Sequence, residues 1–403
     1  MRRLLFSRWV GVIIMIVMAA CQPQQSNEPL PTLAPTLPPP PPPTATRPPL
    51  PATWTPSPSP AASTVEATTA ALVSPTAAKV SGVIFYIFNG DSIAALAADG
   101  SSENLIHVGG APAGLSLSPD GKLLAYVAQA GGSAREVYVI GLDGIYNQRV
   151  SCLGFPRVFA PVWRPDGKTL AFAASQTSEG ALGIYETAVA GSGNCPKDNH
   201  QHLIAQLQIN QAEELAWDRK GEKIFITSRD IYAVNASSGE LYPQVTFYSG
   251  FGPDFSLAPN PIQDELYYLK TDRDSKTNVL GGTIFHIDTT LVGDKTLKEL
   301  RGAPYFARRI RWSNDGTMLL IGTPREVLIQ SQATGNTISV IKTSLEPQPV
   351  FSPDTDLIAY VDGGKGSRSV AQIYVVNLRG ESPKQITNHK EGTIANLNWS
   401  AAS

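Results

Sequence analysis

Glu213, Glu214 and Asp254 are the acidic residues placed closely enough for paired-carboxylate chemistry to be considered. Glycoside cleavage needs two carboxyl groups roughly 5–10 Å apart, one as acid and one as nucleophile or base. His200 and His202 share a face if they lie on a strand, as a metal pair would, but no third ligand accompanies them. Asp272-Arg273-Asp274 starts like a calcium loop and then fails, with Lys276 and no glycine or distal glutamate in place. Gly167-Lys168-Thr169 imitates the end of a phosphate-binding loop. Val162 stands where the upstream glycine belongs, and strand-like residues follow where a helix is required. A Gly-x-Ser-x-Gly nucleophile elbow is absent. The sequence thus implies no enzyme, no cofactor and no metal, with a carbohydrate-active or hydrolytic propeller, its site at the channel mouth and drawing on those three acids, as the alternative.

The elements that would position any site come from a repeat. LSLSPDGKLLAYVA (115–128) returns as PVWRPDGKTLAFAA (161–174), LAWDRKGEKIFITS (215–228), IRWSNDGTMLLIGT (310–323) and PVFSPDTDLIAYVD (349–362). FSLAPNPIQDELYYLK (255–270) is a looser copy, and LNWSAAS (397–403) begins another. In each, a short apolar strand enters a turn and an alternating strand leaves it. Proline presets φ, aspartate suits the next position and glycine accepts positive φ. A third strand closing on Gly or a polar turn follows, then a less regular fourth. Four antiparallel strands every 40–55 residues predict β-propeller blades. The last copy lacks room for three strands, and VIFYIF (83–88), DSIAALAADG (91–100) and ENLIHV (103–108) supply them from the other end. The expectation is all-β: a seven-bladed ring over residues 80–403, closed by N- and C-terminal strands sharing one blade. Six blades is the alternative, because the fourth copy lacks a clean turn.

These motifs resemble the Pro-Asp-Gly repeats of TolB-type propellers, relatives of the WD-repeat propellers, along all of residues 80–403. SPDG, RPDG, SNDG and SPDT carry the resemblance, while DRKG and APNP in blades three and four depart from it. It implies a periplasmic or extracellular scaffold, or a gate of the kind that prolyl oligopeptidases carry. The recurring Trp163, Trp217, Trp312 and Trp399 fall on innermost strands and read as packing between blades.

Before the ring, Arg2, Arg3 and Arg8 precede an apolar run over residues 9–20. Twelve helical residues reach roughly 18 Å, short of a ~30 Å bilayer core, so residues 1–20 read as a signal peptide. Met18-Ala19-Ala20-Cys21 resembles a bacterial lipobox, which implies lipid attachment at Cys21. Residues 21–79 hold 17 of the 33 prolines, six of them consecutive at 38–43, and read as a disordered tether. The chain is therefore expected to be exported, at the cell surface or in the periplasm of a bacterium, and held to the membrane by its lipid. Cys152 and Cys195 are an even pair in an oxidising compartment and are expected to form a disulfide between blades one and two.

The propeller carries the chain's net negative charge, so no nucleic-acid footprint is present. The expected molecule is a monomer with a protein or peptide partner. Strand alternation puts every blade-to-blade connection on one face. GFPRVF (154–159), YSGFG (248–252) and APYFARR (303–309) would gather Phe155, Arg157, Phe159, Phe251, Tyr305, Phe306, Arg308 and Arg309 there. Aromatic and arginine side chains are enriched at binding hot spots. A structural envelope component without a discrete ligand is the remaining alternative.

Overall fold

The computed structural model describes residues 80–108, 110–189, 201–242, 245–246, 252–273, 280–364 and 370–401. The chain enters through β1 (Val83–Phe88), β2 (Ser92–Ala97) and β3 (Glu103–His107). Blade one is β4 (Ala113–Leu117), β5 (Leu123–Gly131), β6 (Ala134–Gly141) and β7 (Asn147–Arg149). Blade two is β8 (Arg157–Trp163), β9 (Thr169–Ser175), β10 (Gly183–Ala188) and β11 (His202–Gln206). Blade three is β12 (Leu215–Trp217), β13 (Lys223–Thr227), β14 (Ile231–Asn235) and β15 (Leu241–Tyr242). Blade four is β16 (Asp254–Pro259), β17 (Glu265–Arg273), β18 (Leu280–Asp288) and β19 (Leu300–Ala307), with a 3-10 turn at Thr289–Leu291. Blade five is β20 (Arg309–Trp312), β21 (Met318–Gly322), β22 (Glu326–Ser331) and β23 (Thr337–Lys342). Blade six is β24 (Val350–Phe351), β25 (Leu357–Gly363), β26 (Ala371–Asn377) and β27 (Lys384–Gln385). Finally β28 (Ile394–Ser400) pairs with β1, giving the order β28-β1-β2-β3 and a seventh blade. The count is seven, and the ring closes through the split blade.

The inner turn works by side-chain acceptance. Ser118 Oγ receives Leu123 N at 2.9 Å and donates to Asp120 Oδ1, and Gly121 N bonds back to Ser118 O with φ +72° at the glycine. Ser313 and Ser352 repeat the pattern in blades five and six. Blades three and four replace the serine and keep the function. Asp218 Oδ1 accepts Glu222 N and Lys223 N, and Asn260 Oδ1 accepts Ile262 N and Gln263 N. The fourth copy therefore makes a full blade despite its unusual turn.

Each buried cluster bridges two consecutive blades, so the core is seven interfaces arranged in a ring. Ala125 and Val139 of blade one pack with Leu170 and Phe172 of blade two, and Ile84 and Trp399 of the split blade pack with Ile373 of blade six. Each expected tryptophan lies at such an interface. Trp163, Trp217 and Trp312 donate Nε1 to Ser116 O, Val162 O and Ala258 O of the preceding blade, and Trp399 donates to Ser81 O.

The innermost strands pose a different problem, since their inner edges face the axis with no further strand to pair. N–H groups alternate sides along a strand. Asn260 N bonding Glu265 O therefore leaves Leu257 N on the open edge, and Ser313 N bonding Met318 O leaves Ile310 N there. The preceding blade fills both gaps: Glu214 Oε2 accepts Leu257 N, and Ser256 Oγ accepts Ile310 N, each at 2.9 Å. At two interfaces where the preceding blade offers no acceptor, the donor is missing too. Gly114 faces Pro161, and Arg309 precedes Pro349. The capping residue sits four positions before the turn, often in a left-handed bulge, as at Gly114 (φ +64°), Ala160 (+51°), Ser256 (+54°), Gln348 (+42°) and Asn396 (+56°).

Ser256→Ala leaves the buried Ile310 N–H without its acceptor and should cost about 1–3 kcal/mol. Urea unfolding at fixed pH measures it; a midpoint equal to wild type would show that the cap carries no stability.

Candidate binding site

The structure redistributes the residues expected on the connection face. Residues 303–307 are not a loop; they lie in outer strand β19, Arg309 lies in inner strand β20, and only Arg308 links the two blades. Arg157 and Phe159 likewise belong to inner strand β8. The fourth strand of blade three is Leu241–Tyr242, and that of blade four starts at Leu300.

Phe155 is half-buried and meets Tyr185 edge-on at 6.2 Å, while its carbonyl accepts Arg135 N. Phe159 packs into the interface of blades two and three, with the Arg157 guanidinium 5.5 Å from its ring centre. Arg157 Nη1 donates to Asn210 O at 2.8 Å. Phe306 is half-buried against Gly281, where no Cβ would fit. Arg308 is exposed, and Arg309 is half-buried on the channel wall. Phe251 and the side chain of Tyr305 lie outside what is described. The six described side chains thus divide into the packing aromatics Phe155, Phe159 and Phe306, a bonded Arg157, an exposed Arg308 and a half-buried Arg309 on inner strand β20.

Among the described residues an opening lies on each face. On the connection face a cleft of about 460 Å³ is lined by residues 208–213, by Ser228, Arg229 and Tyr232 of blade three, and by Gly252 and Pro253. Arg157 fixes its rim through Asn210 O. On the opposite, hairpin face the central channel opens as a cavity of about 500 Å³. Residues 118–121, Asn314 and Pro353 form part of its mouth, and Arg311 and Asn398 line it.

The three candidate acids occupy three settings. Glu213 lines the cleft. Burial pushes the Glu214 carboxyl up, against the Leu257 N–H and the charges of Arg309 and Arg311. Asp254 heads inner strand β16 and is buried, with Oδ2 accepting Thr246 Oγ1 at 2.6 Å and Oδ1 without a partner. Near Asp254 lies a polar group that sequence reading passed over. Asp230 also has an unpartnered buried oxygen, and Lys270 Nζ bonds Glu299 Oε1 at 2.5 Å while lying 5.0 Å from the Phe285 ring centre. Tyr268 donates to the same Glu299 oxygen. Lys270 resembles any alternating strand residue in the sequence, so no local signal marks it.

His202 Nε2 stands 3.5 Å from Glu186 Oε2, while His200 and Asp274 lie outside the described residues. Asp272 and Arg273 are strand residues at the end of β17. Among the described residues no three His, Cys, Asp or Glu side chains gather for a metal. Cys152 is disulfide-bonded; Cys195, the partner expected for it, lies outside the described residues, as does Cys21.

Burial raises the Asp254 pKa to about 7, opposed by the Thr246 hydrogen bond and the Lys270 charge. An unfolded aspartate ionises near pH 4, so between about pH 4 and 7 only the folded chain keeps this proton. Stability should then fall as pH rises through that window, by at most about 1.4 kcal/mol per pH unit from this group. Asp254→Asn should remove the contribution, so the wild-type minus variant difference in urea stability should decline from pH 5 to 7 and level off above. A pH-independent difference would assign the burial penalty elsewhere.

No protein-family profile and no curated protein sequence matches this chain. Solved structures do. TolB from Acinetobacter baumannii aligns over 80% of this chain and 67% of its own, at 17% identity and a TM-score of 0.50. A functionally unknown protein from Desulfotomaculum acetoxidans DSM 771 aligns over 80% of this chain and all of its own, at 13% identity and a TM-score of 0.55. A prolyl endopeptidase aligns over 78% of this chain but half of its own length, at 13% identity and a TM-score of 0.51. At these identities the likeness is one of fold, and the chain is a seven-bladed β-propeller similar to that of TolB.

Proposed function

We propose that this chain is an exported lipoprotein whose propeller holds a protein or peptide partner on its connection face and catalyses no reaction. The cleft lined by residues 208–213 carries the reading. It exposes a run of connecting backbone beside Tyr232, with Arg157 anchored at its rim. Extended backbone next to aromatic and arginine side chains suits a peptide, which needs main-chain partners for affinity and a few anchors for specificity. Division of Glu213, Glu214 and Asp254 among three settings argues against the hydrolytic alternative, which needs two acids facing one substrate. Cys21 and the proline-rich residues 22–79 would supply the membrane anchor and the spacer.

Crosslinking the full chain in its native envelope, followed by identification of the attached species, tests the binding role. Tyr232→Ala with Arg157→Ala should cut the captured polypeptide about tenfold, equivalent to roughly 1.4 kcal/mol, with the unfolding midpoint as control. Undiminished capture by a folded double variant would move the site away from this cleft. Labelled fatty acid should enter the wild-type chain and not Cys21→Ser; equal labelling of both would overturn the anchor.

A further inference from the structure

We propose that the central channel, entered from the hairpin face, is a second binding site, for a small amphiphilic carboxylate whose carboxylate group is held by Arg311. Two positions before the turn, six of the innermost strands carry Ser, Val, Ala, Ala, Val and Asn; blade five carries Arg311, which lines the channel cavity. Ring architecture does not ask for a cation there. Pro349, just before the next blade's inner strand, has no N–H to be capped, so blade five, with Arg309 at the capping position, is free of the task that Glu214 and Ser256 perform.

Arg311 reaches across the channel, and its Nη1 donates to Leu397 O of the split blade at 3.0 Å. A guanidinium carries five N–H donors. Its other nitrogens are not among the buried unpartnered atoms, and the side chain lines the cavity, so those donors open onto it. The charge is poorly compensated. Loss of water and the neighbouring Arg309 push the Arg311 pKa down to about 9, and Glu214 opposes this only in part. Glu214 is itself pushed toward its neutral form by burial and spends an oxygen on Leu257 N. An enclosed guanidinium without a full counter-charge is costly, and a carboxylate matches its fork with two parallel hydrogen bonds.

The rest of the cavity selects the ligand's other end. Its volume of about 500 Å³ falls in the range of small-molecule sites. Trp312, Phe351 and Trp399 line it, and both indole N–H groups are already bonded to carbonyls, leaving ring surface for an apolar chain. Asn314 and Asn398 add polar groups. This site lies on the face opposite the cleft, so it stands or falls independently of the peptide-binding reading.

Titration of the full chain with hexanoate, followed by tryptophan fluorescence and calorimetry, tests it, with hexan-1-ol and inorganic phosphate as controls. Hexanoate should bind saturably and change the emission of Trp312 and Trp399, while neither control does so at equal concentration. Arg311→Lys keeps the charge but loses the fork and should weaken hexanoate about tenfold, and Arg311→Gln should abolish binding. Tyr232→Ala, on the other face, should leave it unchanged. Absence of saturable binding up to millimolar hexanoate would overturn the proposal. So would equal binding of hexan-1-ol or phosphate, or an undiminished affinity in Arg311→Lys.

Discussion

Seven sheets that converge edge-first on one axis leave seven rows of backbone N–H groups with no strand beyond them. The molecule depends on how those groups are satisfied. A β-sandwich covers its edges or charges them; a propeller turns them inward, where the neighbouring blade is the available partner. Glu214 and Ser256 reach forward to the next blade, and the tryptophans of four blades reach back or across with their indole N–H. Neighbouring blades are thus tied in both chain directions near the axis. The left-handed bulge helps, because it turns a side chain toward the next blade at the level of that blade's open N–H.

The same constraint separates architecture from function. Proline at 161 and 349 follows blades whose capping position holds Gly114 and Arg309, residues that accept no hydrogen bond through a side chain. Read in pairs, one from each blade, these positions explain each other and need no ligand. Arg311 stands outside that pairing. With Arg309 it places two cations on one inner strand, and Glu214 is the acid whose charge reaches Arg311. A position the ring does not need is where a ligand can be read.

Local chemistry was legible in the sequence; long-range placement was not. The Ser-Pro-Asp-Gly turn announces itself because its hydrogen bonds close within six residues, as Ser118 with Leu123 shows. The seventh blade was legible too, since strands missing from one end are present at the other. The segment 303–309 misled because it holds Pro304 and no clean alternation, yet all but one of its residues are strand. Lys270 and Asp230 were invisible for a different reason. Nothing in a segment's own residues says which neighbour will bury it, and both end beside acids remote in sequence, Lys270 beside Glu299 and Asp230 beside Asp254.

Seven interfaces, with eight to sixteen buried side chains apiece, also explain how the fold tolerates such groups. Burying Asp254 with one oxygen unpartnered, or Arg311 with one protein acceptor, each disfavours the folded state. Neither sits within the apolar contacts between blades. Both lie on innermost strands, at the axial ends of those interfaces, where a polar group disturbs least packing. Asp254 and Arg311 are therefore carried where the ring has backbone to satisfy and openings to line.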